Sequence, residues 1–170
     1  MIHGLPKDRR GTAAAEMALV LPILLALIWG ALELGNYFRS EHVLIKGVRD
    51  GAVFAARQEI TNYDCSGANP TVPTAVVNNA KALVRTGQLS GGTDRLPRWA
   101  DGSTTFAIAA SCVTTAGSTT LLGIYQVNGG KVPVITVTAD LPYQPVAGIL
   151  GLQISNLRVR AVQQAVVTGS

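Results

Sequence analysis

The residues whose types and spacing suggest chemistry lie near the start of the chain, at Gly11, Thr12 and Glu16. Gly11 separates a basic head from an apolar run in which Glu16 is the only charged residue between positions 13 and 32. Hydrolysis of the bond between Gly11 and Thr12 would remove the head alone. Glu16 would then lie one helical turn beyond a new cationic amine on Thr12. A glycine ahead of an apolar helix is also common without processing, so this spacing alone leaves both interpretations open.

The apolar run at residues 13–32 predicts a helix that spans a membrane. At 1.5 Å per residue it extends ~30 Å, about the hydrocarbon thickness of a bilayer. An ordinary secretory signal has a shorter apolar region followed by a small-residue cleavage site, and no such site follows this run. Glu16 either reaches the cytoplasmic headgroups or serves a partner. An ionisable group inside a span is costly and is usually retained for a partner, but its position near the N-terminal end of the span leaves both roles open at this point.

The charge distribution predicts the orientation of this helix. The chain of 170 residues has a formal net charge of +4, and the head supplies Lys7, Arg9 and Arg10 against Asp8. By the positive-inside bias, the N-terminus is expected in the cytoplasm and everything after about Asn36 in the periplasm. The exported part lacks basic blocks interleaved with aromatic residues, so nucleic acid is not an expected partner.

A longer string connects the chain to a known family. Residues 11–35 read GTAAAEMALVLPILLALIWGALELG, which is a small residue, a Glu, an apolar run containing Leu-Pro, and then Gly followed by Glu-Leu-Gly. This string resembles the TadE-like pseudopilins of tight-adherence (Tad/Flp) pilus systems, where these features recur in the same order. The resemblance is strongest from Gly11 to Phe38, and it is weaker in residues 47–57 and 132–167.

The resemblance implies a structural role in pilus assembly. It implies cleavage after Gly11 by a prepilin peptidase, and docking of the Glu16 carboxylate against the N-terminal amine of an adjacent subunit. The implied partners are another pseudopilin, the major Flp-type pilin, the inner-membrane assembly platform and the lipid bilayer. Major pilins of these systems usually carry Tyr after the Glu, so Met17 indicates a minor pseudopilin. The alternatives are a related TadF-like pseudopilin and a permanently membrane-anchored periplasmic binding module. The implied location is the inner membrane, with incorporation into the pilus left open.

The chain has two cysteines, Cys65 and Cys112. An isolated pair of thiols in an exported domain usually forms a disulfide. A metal site would need more Cys, His or carboxylate neighbours than the chain provides, and no cofactor is expected. An enzyme is not expected either, because no spacing joins a nucleophile, a base and an orienting group.

Beyond the span, the helical period continues to about residue 57. Gly47, Gly51 and Ala55 form a row of small residues at i, i+4 and i+8. Such a row lets another backbone approach closely. It is expected to pack against the sheet of the same domain, in preference to another subunit.

The remaining segments predict one short helix and several strands. Thr74 is the expected N-cap of a second helix, Ala75–Thr86, which ends at Gly87. Alternation predicts strands at residues 106–112, 135–141 and 157–167, with an additional candidate at Leu121–Val127. Because no helix lies between these late strands, the pattern favours an α+β, pilin-like fold with an antiparallel sheet packed on the early helices.

The expected organisation is therefore a basic leader at residues 1–11, a transmembrane helix at residues 12–35 and a periplasmic α+β domain at residues 36–170. Within this domain, a proline-containing loop at residues 142–152 carries Ile149, Leu150 and Leu152. These side chains are expected either to fill the core or to face a neighbour or the membrane.

Overall fold

The computed structural model describes residues 9–67, 70–114, 123–146, 148 and 156–169. The chain forms two helices and one sheet: α1 (Arg9–Ala56), α2 (Thr74–Thr86), β1 (Thr105–Val113), β2 (Val132–Pro142) and β3 (Arg158–Val166). Short 3₁₀ turns lie at Ile60–Asn62 and Gly123–Asn128. The predicted α+β fold class is confirmed.

The helix α1 has 48 residues and contains Pro22, and at 1.5 Å per residue it is ~72 Å long. Its second half belongs to the core of the domain. Leu44, Val48, Ala52 and Ala55 are all buried to 1% exposure or less. Their spacing places them on one face of the helix, so the other face remains in solvent.

The sheet has three strands in the order β1-β2-β3, and both pairs are antiparallel. Every second residue of the central strand β2 points into the core, as the alternation in the sequence predicts. These inward residues are Pro133, Ile135, Val137, Ala139 and Leu141. The helix α1 packs against β2 and β3, whereas β1 has a smaller contact with α2.

The second helix starts one residue earlier than the sequence suggests. Thr74 is the first helical residue and Pro73 occupies the N-cap position, where no side chain caps the helix. The prediction of Thr74 as N-cap is therefore wrong by one position, because a proline with fixed φ precedes the first turn. The C-terminal prediction is correct: Gly87 has φ +81° and donates its N–H to the Leu83 carbonyl at 2.8 Å.

The additional strand considered at Leu121–Val127 is wrong for its described part. Residues 123–128 form a 3₁₀ turn. Gly123, Gly129 and Gly130 all have positive φ, so the backbone turns tightly on both sides of this segment and cannot extend. Residues 121–122 and the apolar loop residues Ile149, Leu150 and Leu152 lie outside the described residues.

Candidate functional site

The predicted processing site and the predicted docking carboxylate both lie on α1, because this helix begins at Arg9. Glu16 follows Thr12 by about one helical turn. The Glu16 side chain is exposed, and no hydrogen bond or ion pair within the described residues involves it. The carboxylate is therefore accessible to a group outside this chain.

Within the described residues, no other element packs against the first half of α1. Every residue from Thr12 to Leu32 is exposed, and Leu19 and Leu27 reach 74% and 69%. The most apolar 18-residue window has a mean hydropathy of 2.3, and none of it is buried. Within the described residues, this is the one helix long and apolar enough to cross a membrane. A continuous apolar surface of this size needs a lipid or protein environment.

The domain contacts α1 at the point where this exposed apolar half of the helix ends. Tyr143, which follows β2, is buried to 4% exposure. Its hydroxyl donates to a carboxylate oxygen of Glu33 at 2.7 Å, and it also lies 3.2 Å from the Glu33 backbone carbonyl oxygen. Burial, followed by the hydrogen bond to Glu33, raises the pKa of Tyr143 to about 12. The phenol therefore stays neutral and remains a donor at physiological pH.

Two further residues of α1 complete this junction. The side-chain amide of Asn36 donates to the Tyr143 hydroxyl at 2.8 Å and to the Gln144 carbonyl at 3.3 Å. The ring of Tyr37 packs edge-on against the Tyr143 ring, with centroids 5.3 Å apart. We call Glu33, Asn36, Tyr37 and Tyr143 the helix–domain junction. It joins the last turn of the apolar run to the end of the sheet without an intervening linker.

The row of small residues on α1 is covered within the same chain, but by α2 rather than by the sheet. A Cβ added at Gly47 would lie 2.7 Å from the carbonyl oxygen of Val84. At Gly51 it would lie 2.6 Å from a methyl group of Val84 and 3.2 Å from the Ala80 carbonyl oxygen. The expectation that the sheet packs on this row is wrong, because α2 lies against it and brings its backbone close to both glycines.

Ala55 ends this row in a different way, near the C-terminal end of α1. Tyr63, which is fully buried, donates its hydroxyl to the Ala55 carbonyl at 2.6 Å. Burial raises the pKa of Tyr63 to about 12. The Thr168 N–H donates to the Ala56 carbonyl at 2.9 Å. These two bonds satisfy carbonyl groups that a helix C-terminus otherwise leaves without partners.

The same end carries the disulfide. Cys65 and Cys112 are joined, with their Cα atoms 5.8 Å apart. The Asn128 side-chain oxygen accepts from the Cys65 N–H at 3.5 Å, and the Lys131 ammonium donates to the Cys65 carbonyl at 3.0 Å. The bond thus ties the loop after α1 to the end of β1.

Within the described ranges, no three side chains of His, Cys, Asp and Glu lie close enough together to hold a metal ion. The predicted residues Gly11, Thr12 and Glu16 and the row of small residues all lie on α1. Sequence reasoning did not find the helix–domain junction, since Glu33 and Tyr143 are 110 positions apart. The available signals were a carboxylate at the end of the apolar run and a tyrosine between two prolines.

These features define a class of protein in which one apolar N-terminal helix continues without a break into an α+β domain. The family model described as TadE-like protein matches residues 11–53. The match covers less than half of the chain, and it falls on the segment that carries the resemblance seen in the sequence. The predicted resemblance is therefore confirmed for this segment, and it indicates a protein associated with Tad pili. No curated protein and no solved structure matches the chain.

Proposed function

We propose that this chain is a minor pseudopilin of a Tad-type pilus and that its role is structural rather than enzymatic. In this proposal a prepilin peptidase cleaves between Gly11 and Thr12. Residues 12–35 then remain in the inner membrane, and residues 36–170 lie in the periplasm. The partners are a second pseudopilin, the major pilin and the assembly platform.

The observation that supports the proposal is that Glu16 is exposed, without a hydrogen bond or ion pair among the described residues, on the exposed apolar half of α1. This carboxylate is exposed on a helix whose other exposed residues, from Ala13 to Leu32, are nearly all apolar. A permanent anchor has no use for a charge at that depth, since it lowers the free energy gained on insertion. A helix that must dock beside another helix has a use for it, and the family match covers this position.

The proposed docking pairs Glu16 with a cationic amine. Cleavage after Gly11 creates such an amine on Thr12 in every processed subunit. Bringing the amine of one subunit to the carboxylate of its neighbour offsets part of the cost of holding each ion in a low-dielectric environment. Registers that leave either ion without a partner remain costly, so the pair selects one register of the two helices.

The test combines the mature N-terminus with two substitutions. In piliated cells the mature protein should begin at Thr12, as read by N-terminal sequencing. Glu16→Leu keeps the helix apolar and removes the docking carboxylate, whereas Gly11→Leu blocks cleavage and keeps the basic head. Both variants should remain membrane-inserted at wild-type levels and should abolish pilus assembly.

A matched control is available on the same helix. Met17→Leu changes the neighbouring residue, keeps Glu16 and should assemble normally. Normal piliation with Glu16→Leu, or mature protein that still begins at Met1 in piliated cells, would contradict the proposal and favour the anchored binding module.

A further inference from the structure

We infer that the end of the domain carrying Tyr143 rests on the bilayer surface, where Val146 and Leu157 contact the phospholipid headgroup region beside α1. The inference depends on insertion of α1 in the membrane, which is part of the proposed function. It adds a second membrane contact, made by the domain itself. We call the surface formed by the exposed Gln144 and Leu157 and the partly exposed Pro145 and Val146 the membrane-facing end.

The depth of this end follows from the helix–domain junction. Residues 13–32 extend ~30 Å as a helix and therefore fill the hydrocarbon core of a bilayer. Glu33 is the next residue, and the hydroxyl of Tyr143 lies 2.7 Å from its carboxylate. The domain thus reaches down α1 as far as the end of the apolar run. No linker holds it away from the headgroups.

The neighbours of Tyr143 lie at the same depth. The Tyr143 N–H donates to the Leu157 carbonyl at 2.9 Å, so the residues that follow β2 and precede β3 are adjacent. Leu157 is 38% exposed, and Gln144 is exposed. The Asn36 amide, which bonds the Gln144 carbonyl, fixes this strand end against the helix. The exposed Leu157 is therefore held close to the end of the apolar run of α1.

The chemistry of this end suits the interface of a bilayer. None of the four residues that form this end is charged. Arg158, which follows Leu157 in the chain, bonds the Asp140 carboxylate at 2.6 Å and the Ser103 carbonyl at 2.8 Å, so its charge is locally balanced.

One basic side chain of α1 fits the same arrangement. Arg39 is exposed and lies ~9 Å along the helix from Glu33. A long arginine side chain can extend back along the helix so that its guanidinium reaches a lipid phosphate. The membrane-facing end and Arg39 would then contact the same headgroup layer, the first through neutral side chains and the second through charge.

The experiment measures the depth of single spin labels in the full chain, reconstituted in vesicles of phosphatidylethanolamine and phosphatidylglycerol. Both native cysteines are in the disulfide, so an introduced cysteine provides the one free thiol. Leu157→Cys tests the membrane-facing end. Leu89→Cys is the matched control, because Leu89 is also exposed and lies beside Val53 and Arg57, ~30 Å further along α1. Leu24→Cys reports on insertion of the span.

The label at position 157 should be severalfold less accessible to a water-soluble nickel reagent than the label at position 89, and the label at position 24 should be fully shielded. Val146→Cys should repeat the result if Leu157→Cys does not fold. Equal nickel accessibility at positions 157 and 89, with position 24 shielded, would overturn the inference and leave the proposed function intact. Accessibility at position 24 would overturn both. Protection at position 157 that disappears when the protein is diluted in lipid would assign this end to a second protein copy and overturn the inference.

Discussion

The hydroxyl of Tyr143 donates to the Glu33 carboxylate at 2.7 Å and accepts from the Asn36 amide at 2.8 Å. One phenol therefore bonds two residues of α1 that are nearly one turn apart. Because Tyr143 directly follows β2, this contact couples the end of the sheet to the end of the apolar run.

Tyr143→Phe should lower the free energy of unfolding by about 1–2 kcal/mol, because it removes these bonds and leaves polar groups with poorer partners. The ring packing against Tyr37 would remain. Tyr37→Phe is the matched control, since its hydroxyl bonds the Arg158 carbonyl at 3.4 Å, near the limit of a hydrogen bond. Denaturant unfolding of the full chain in detergent measures both. An equal effect of the two substitutions would contradict the role given to Tyr143.

Alkaline pH should destabilise the fold through two buried phenols. Burial raises the pKa values of Tyr63 and Tyr143 from 10.0 to about 12. A pKa that is higher in the folded state means that the unfolded state loses its proton first. The stabilisation is therefore complete below about pH 10 and is lost as the pH rises towards about 12.

The free energy of unfolding, measured across this range, should fall less steeply for Tyr63→Phe than for the wild type. The substitution removes one of the two titrating phenols and keeps the ring in the core. It also removes the bond to the Ala55 carbonyl, so the variant should be less stable at neutral pH. An unchanged slope would show that Tyr63 does not contribute to the alkaline loss.

Gly47→Ala should destabilise the domain by about 1–3 kcal/mol, as overpacking does elsewhere. The added Cβ would lie 2.7 Å from the Val84 carbonyl oxygen, which is backbone and cannot rotate away. Gly35→Ala is the matched control, because nothing lies within 4 Å of its added Cβ, and the exchange should be neutral or stabilising through helix propensity. Thermal unfolding compares the two. Unchanged stability with Gly47→Ala, combined with lost assembly, would instead assign this surface to another subunit.

Local patterns predicted much of the fold. The alternation in β2 placed Ile135, Val137 and Leu141 in the core, since a strand points successive side chains to opposite faces. Gly87 predicted the end of α2, because its positive φ is unfavourable for other residues. The strand prediction at Leu121–Val127 was wrong for its described part, because its side chains are typical of a strand whereas the glycines around it turn the backbone.

Less of the candidate site could be predicted from the sequence. Gly11, Thr12 and Glu16 are recognisable because their spacing lies within one segment. Glu33 and Tyr143 come together only after the sheet has packed on α1, and no periodicity relates residues 110 positions apart. Gly47 and Gly51 predicted that another backbone approaches α1 closely. Whether this backbone belongs to α2 or to the sheet depends on how the whole domain packs.

The disulfide provides the last prediction. Cys65 and Cys112 close a loop with a sequence separation of 47, and restricting the unfolded chain over such a loop is worth about 4 kcal/mol in the chain-entropy model. Cys65→Ser should lower the free energy of unfolding by up to this amount. Reduction of the wild type by dithiothreitol is the matched control and should lower the stability to a similar level. Nonreducing peptide mapping of protein purified from membranes checks the bond directly, and recovery of both cysteines as alkylatable thiols without prior reduction would disprove it.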